Sequence, residues 1–286
     1  MDTTKNLGAS ERAKRHILHA IIYVFCFGIA ITAFYPFYTM IIASTHDSYN
    51  IVTKLNLLPG DHFWENYERL TENINIWRGF LNSLLLACCC VIVKLYFSAM
   101  AAYAFSKFRF KARNFLFGVI MVMMMMPGQL GVIGFYQEMS KLRLLDSYIP
   151  LIIPAMADCF VIFFFKQFMD GGLPTEIIEA AYVDGCAELS IFHKMVLPIV
   201  SPALVAQGVL SFIGSWNSYM MPLILLRSQE KLTLPLLVAT VQDAMRAEYG
   251  AQYVGMLLSV IPLVIVYCFA SKVIMEKIAI GAAVKG

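Results

Sequence analysis

The residues in this chain that could do chemistry are few, and they sit in unusual places. Lys94, in CCCVIVKLYF, and Asp158, in PAMADCFVI, are ionisable groups inside otherwise apolar runs. A charge near the middle of a bilayer costs about 2.5 to 3.5 kcal/mol on insertion scales, so each needs a partner helix, a cavity or an interface within reach. For Lys94 a structural role is the stronger reading. Asp158, which begins its span nearer the outer side, either receives hydroxyl groups or sits in the headgroup layer. A second set is uncharged: Gln129 in Pro127-Gly128-Gln129, Tyr136, and the cluster Ser211, Gly214, Ser215, Trp216, Asn217 and Tyr219. These supply amide and hydroxyl groups and flat rings, the equipment for holding a polar solute. Small residues at this density also suit helix packing, and the rings an interfacial aromatic belt, so both readings stand.

Bond-making chemistry lacks its parts. There is no HExxH or GxSxG and no histidine deep in an apolar run to activate a serine, so no catalytic residue is expected. His46, His62 and His193 fall in polar connections and read as solvated rather than as metal ligands. The seven cysteines include Cys88, Cys89 and Cys90 in a row and form no CxxC pair, so they read as small packing residues; no metal site is expected. The Met121 to Met126 run reads as packing material in the same way. No GxxxxGK[ST] loop is present to cradle a nucleoside triphosphate. The net charge of +3 comes from residues at the ends of apolar runs, not from one basic block, which argues against a nucleic-acid partner.

The elements that must position these groups are membrane helices. Of the 286 residues, 59% are apolar and only 14% charged, against about 25% charged in soluble domains. Residues 17–45 hold no Asp, Glu, Lys or Arg apart from the flanks and exceed the roughly 20 residues a span requires; the length also exceeds a cleaved signal's apolar core. Five further runs, about 79–106, 114–137, 148–168, 199–226 and 251–275, bring the expected total to six spans in an all-α integral membrane protein. Pro127 predicts a kink in the third. Alternate connections share the Lys and Arg residues 13 to 8, with Lys94 inside a span, and the richer side includes both termini and KFRFKAR. The positive-inside rule places that side in the cytoplasm. Residues 46–78 are expected to form a small element on the opposite side, and TLPLLVATV within 227–250 a re-entrant or surface helix.

One polar interruption stands out on the cytoplasmic side. EIIEAAYVDGCAELSIFHKMVLP, from Glu176 to Pro198, carries Glu176, Glu179, Asp184 and Glu188 between two apolar runs. Pro174 suits a helix start, the acids suit the positive end of the helix dipole, and Ile177, Ala180 and Ala181 share a face. Gly185 can take the positive φ that ends a helix, and Ala187 to Met195 can form a second one. The expected shape is a helix-turn-helix in which Ile178, Tyr182 and Phe192 offer knobs to a groove. An amphipathic connector lying on the lipid surface is the plainer alternative.

EAAYVDG followed by LP resembles the E-A-A, three residues, G, nine residues, I-x-L-P loop of bacterial ABC-importer permeases, with Cys186 and Met195 where that pattern has Ala and Ile. FIGSWNSYMMPLILL, KLTLPLLV, YAFSKFRF, FKQFMDGGLP and the terminal GAAVKG resemble the carbohydrate-uptake, maltose-permease-like branch, so the similarity covers most of residues 79–286. The resemblance implies a transport subunit, not an enzyme, in the bacterial cytoplasmic membrane. It implies a second, different permease subunit, two cytoplasmic ATP-binding subunits that hold ATP and Mg, an extracytoplasmic sugar-binding protein and a mono- or oligosaccharide as cargo. It also implies an ATPase contact through Glu179, Ala180, Ala181, Asp184, Gly185 and Pro198, extended to the tail at Lys285 and Gly286. A sugar path would then draw on Gln129, Tyr136, Asp158, Ser215, Trp216, Asn217 and Tyr219. The chain divides into a tail (1–16), a first span with its outer loop (17–78), a five-helix core (79–275) that includes a coupling loop (169–198), and a terminal tail (276–286). An ion-coupled secondary transporter using Lys94 and Asp158 is the competing expectation.

Overall fold

The computed structural model describes residues 9–244 and 248–284, and every element assigned among them is helical or a turn. The chain separates into two compact units, one of residues 1–70 and 245–257, the other of residues 71–244 and 258–286.

The first unit holds α1 (Ala9–Ser44), α2 (Ser48–Thr53) and most of α3 (Phe63–Asn73). α1 is exposed from His16 to Phe37, with Val24, Phe25 and Phe27 each about 70% accessible, as suits a helix surrounded by lipid tails, and only its last turns, at Ile42 and Ser44, are buried. Beyond it the chain is tied by polar contacts. The Asn66 amide donates to the carbonyls of Ser44 and His46 at 3.0 and 2.8 Å, and Arg69 pairs with Glu248 at 2.8 Å. Residues 46–73 are therefore an ordered helical element rather than a plain loop.

The second unit is built on α4 (Ile76–Lys107), a 32-residue helix against which its neighbours pack. Asn75 caps it by accepting from the Arg78 amide. α5 (Arg113–Met125) follows and stops at Met126 and Pro127, both in extended backbone, because a proline excludes the helical region for the residue before it. The chain resumes through a 3-10 turn (Gly128–Gly131) into α6 (Val132–Lys141), and the two arms differ in direction by 92°. The expected kink is thus a complete break. α7 (Ile149–Ile152) leads through another 3-10 turn (Ile153–Ala157) to α8 (Cys159–Gly172).

α9 (Thr175–Val183) and α10 (Glu188–Ile191) form the polar interruption, followed by one π turn (Phe192–Val196) and α11 (Leu197–Ile199). α12 (Ser201–Trp216) leaves at 78° to that segment. Pro198 and Pro202 lack the amides that would bond the carbonyls four residues earlier, so the helical ladder opens here. α13 (Met220–Leu225) and α14 (Leu234–Ala244) precede the final helix α15 (Tyr249–Val284), which begins in the first unit and continues in the second. TLPLLVATV is packed against the protein, not free at a surface. It forms α14, which packs on α4 with Leu234, Leu236 and Leu237 buried and the Leu234 amide donating to Ser83 Oγ at 2.8 Å.

Four helical segments are long and apolar enough to cross a membrane: His16–Ser44, Ile76–Lys107, Ile149–Gly172 and Tyr249–Phe269. The two bent pairs, Arg113–Met125 with Gly128–Lys141 and Glu188–Ile199 with Ser201–Trp216, pass the same criterion when each is taken together.

Candidate functional site

Two places in the second unit combine exposure with chemistry: a mainly apolar cavity between helices that carries a few polar groups, and the turn that ends α9.

The cavity, of about 810 Å³, opens among α4, the broken turn after α5, the residues before α8, and α12. Asp158 reaches it because the 3-10 turn ends there in extended backbone. Its Oδ1 caps α8 by accepting from the Val161 amide at 3.0 Å, and its Oδ2 meets Lys94 Nζ of α4 at 2.7 Å. Both side chains are about three-quarters shielded, so the ammonium found the partner it required within the protein. Gln129 enters the wall on the turn created by the Pro127 break, and Ser215 enters it from the end of α12. Phe135 and Phe160 add rings.

The other expected path residues lie elsewhere. Trp216 is 1% exposed, stacked on Phe212 and edge-on to Phe80, and its Nε1 donates to the Ser259 carbonyl at 3.0 Å. Its indole is therefore core, because α12 turns that face towards α4 and α15 rather than to the cavity. Tyr136 accepts from Arg227 Nη2 at 2.8 Å, and neither it nor Asn217 and Tyr219, both exposed, lines the cavity. In their place the structure brings Gln207 and Ser211 into the wall, both more than nine-tenths buried. The four-residue spacing of Gln207, Ser211 and Ser215 marks one face of a helix and was the available signal.

The turn after α9 is a Schellman motif. Gly185, at φ 72°, donates to Tyr182 O, and Cys186 donates to Ala181 O, each at 3.0 Å. Nothing lies within 4 Å of the place a Cβ would occupy on Gly185, so the glycine answers a backbone demand, not a crowded one. Lys107 Nζ anchors the start of α9 through the Leu173 carbonyl at 2.6 Å, and Ser106 Oγ holds Asp170 at 2.6 Å. Across the turn the Tyr182 hydroxyl donates to Glu188, which, with partial burial, raises the phenol above its ordinary pKa.

Glu179, Ala180, Asp184, Gly185 and Pro198 are exposed on this segment. Ala181 is not: at 1% exposure it packs inward with Ile178 and Phe192 on Tyr103, Phe165 and Met169. The three-residue step from Ile178 to Ala181 keeps both on the core side, so the expected knobs Ile178 and Phe192 are buried as well. Ile177, Tyr182, Val183 and Leu189 form the exposed apolar surface instead, with Val183 88% accessible. Lys285 and Gly286 lie outside the described residues.

Residues 94–279 match the family described as "Binding-protein-dependent transport system inner membrane component". The arabinooligosaccharides transport system permease protein AraQ of Halalkalibacterium halodurans is 33% identical over 262 residues, covering 90% of this chain and 93% of that one. The sn-glycerol-3-phosphate transport system permease protein UgpE of Escherichia coli is 32% identical over 250 residues, 84% of this chain and 88% of its own. Among solved structures, a chain of a bacterial ABC transporter involved in the import of the acidic polysaccharide alginate superposes with a TM-score of 0.78 at 25% identity, covering 94% of this chain and 99% of that one. With its helical core and multi-pass architecture, the chain belongs to the binding-protein-dependent transport system inner membrane components, as a permease subunit of the carbohydrate ABC importers.

Proposed function

We propose that the chain is one half of the membrane channel of an ATP-driven importer that passes a mono- or oligosaccharide from an extracytoplasmic binding protein to the cytoplasm. The observation that carries this reading is the cavity itself: an ion pair, amides, hydroxyls and rings gathered between apolar helices, in a chain of this family. Groups of that kind are tolerated at membrane depth where they face protein or water. Gln129, Asp158 and Ser215 contribute hydrogen-bonding groups to the path. Tyr136, Asn217 and Tyr219, away from the cavity wall, would take part only in another conformation.

In this proposal each bent pair is one span, giving six, with both termini and residues 169–198 in the cytoplasm; residues 17–78 supply the first span and its outer element, and 79–275 the core. A different permease subunit completes the channel, and two ATP-binding subunits carry ATP and Mg. The exposed residues Glu179, Ala180, Asp184 and Gly185 present the docking surface to one of them, with Pro198 at the bend and the Lys285–Gly286 tail adjoining the contact. Ala181 supports that surface from beneath. Closure of the ATPase pair would then carry α9 and α10 as a rigid body, and the proline break before α12 would pass the displacement to the cavity wall. An ion-coupled secondary transporter would leave the α9 turn without a use.

Co-expression with the neighbouring transport genes tests the proposal. An ATPase should copurify with this chain, and its hydrolysis in lipid should rise when the sugar-loaded binding protein is added. A chain that moves sugar with no ATPase attached would refute it.

A further inference from the structure

Lys94 and Asp158 are the only charged groups in the cavity wall among the described residues, and they are paired with each other. Asp158 cannot swing away readily, because its second oxygen caps α8 and a carboxylate at that position is also favoured by the helix dipole. The ammonium still has donors to spare and the carboxylate still has lone pairs. An uncharged vicinal diol can therefore use both at once, one hydroxyl donating to the carboxylate while its neighbour accepts from the ammonium, and the pair need not open. An anion can take a spare ammonium donor only by setting a second negative group beside the shielded Asp158 carboxylate, whose charge already offsets that of Lys94.

The opposite wall adds an independent observation. Ser211, 7% exposed, has a side-chain oxygen with no hydrogen-bond partner, and Gln207, 3% exposed, lies one turn before it on the same face as Ser215. Buried hydroxyls are normally satisfied, so the Ser211 oxygen calls for a polar partner, which a turn of its χ1 towards the cavity would let water or a cargo hydroxyl supply. These neutral groups offer an anion hydrogen bonds but no compensating charge.

Building on the reading of this cavity as the sugar path, we propose that the Lys94–Asp158 pair together with Gln207, Ser211 and Ser215 forms a subsite that admits uncharged saccharides and discriminates against anionic ones. The relatives include permeases of systems named for a phosphate ester and for an acidic polysaccharide, so the charge of the cargo is a property on which similar chains differ.

The test uses the assembled importer in nanodiscs. Leu210, which lines the cavity without belonging to the polar stripe, is replaced by cysteine in a chain whose native cysteines are alanine. Labelling by N-ethylmaleimide is timed with galactobiose or digalacturonate, disaccharides that differ in their carboxylates, at tens of millimolar. Galactobiose should slow labelling at least threefold and digalacturonate by less than half that factor. Asp158→Asn keeps an N-cap acceptor for α8 and removes only the charge; there digalacturonate should protect at about tenfold lower concentration than before. Lys94→Gln should move the preference the other way and weaken protection by digalacturonate further. Equal protection by the two sugars in the parent, or a ratio unmoved by Asp158→Asn, overturns the charge discrimination while leaving the path reading intact. Rapid labelling that neither sugar slows overturns both.

Discussion

If the α9 turn docks on an ATPase as proposed, replacing Gly185 by valine should uncouple the permease from that partner while the protein still inserts. Gly185 sits at φ 72°, where an L residue with a Cβ pays about 1–2 kcal/mol and a β-branched one lies at the upper end. No atom lies within 4 Å of the would-be Cβ, so within this chain the cost is confined to the backbone. About 1–2 kcal/mol corresponds to a 5- to 30-fold loss in the population of the closed turn, with the hydrogen bonds from Gly185 to Tyr182 and from Cys186 to Ala181 lost together. The assay is binding-protein-stimulated ATP hydrolysis and uptake in proteoliposomes, normalised to inserted permease and copurified ATPase. Asparagine adopts the left-handed conformation readily, so Gly185→Asn should retain most activity. Wild-type rates for Gly185→Val would refute the turn's role. If Asn were as damaging as Val, side-chain volume against the proposed partner, not backbone conformation, would be the operative constraint.

Trp216→Ala removes a fully buried ring and its hydrogen bond to Ser259, and should destabilise the second unit by about 3–5 kcal/mol in thermal unfolding; lost uptake with unchanged stability would return the indole to the path. A Cβ on Gly250 would collide with the Asn66 side chain, which Ser44 and His46 hold in place, so Gly250→Ala should cost about 1–3 kcal/mol of overpacking in the first unit, and an unaltered melting profile would count against that packing. Asp146 accepts from the Ser228 hydroxyl and from the amides of Ser228 and Arg227 at 2.9 and 3.0 Å, and pairs with Lys231, which together depress its carboxyl well below the usual range. A depressed folded-state value means the contribution is fully present above the ordinary carboxylate value near 4 and is lost as pH falls through the folded one. Hydrogen exchange at Arg227 and Ser228 should accordingly show undiminished opening free energy from pH 7 to 5, and Asp146→Asn should raise exchange there at pH 7; early loss of protection near pH 6 would contradict the assignment.

Much of the architecture was legible in the sequence because a bilayer leaves few choices. Long apolar runs must be helices there, prolines must interrupt them, and the glycine after EAAYVD has a local conformational reason to end α9. Gly185, the Pro127 break and the positions of the apolar runs are all properties of short stretches of chain.

Which way a side chain points is not such a property. Trp216, Asn217 and Tyr219 looked like a sugar platform by composition, yet the rotation of α12 against α4 sends the indole to the core and brings Gln207 and Ser211 to the cavity. Ile178 and Ala181 looked like surface and are buried, because α9 rolls towards Tyr103 and Phe165. Lys94 and Asp158 stand 64 positions apart, and nothing local to either names the other as its partner. The sequence by itself determined the class of element, its breaks and its membership of a transport family. Tertiary packing alone decided which face of each helix meets the cavity, because that rotation depends on the fit of neighbouring helices from distant parts of the chain.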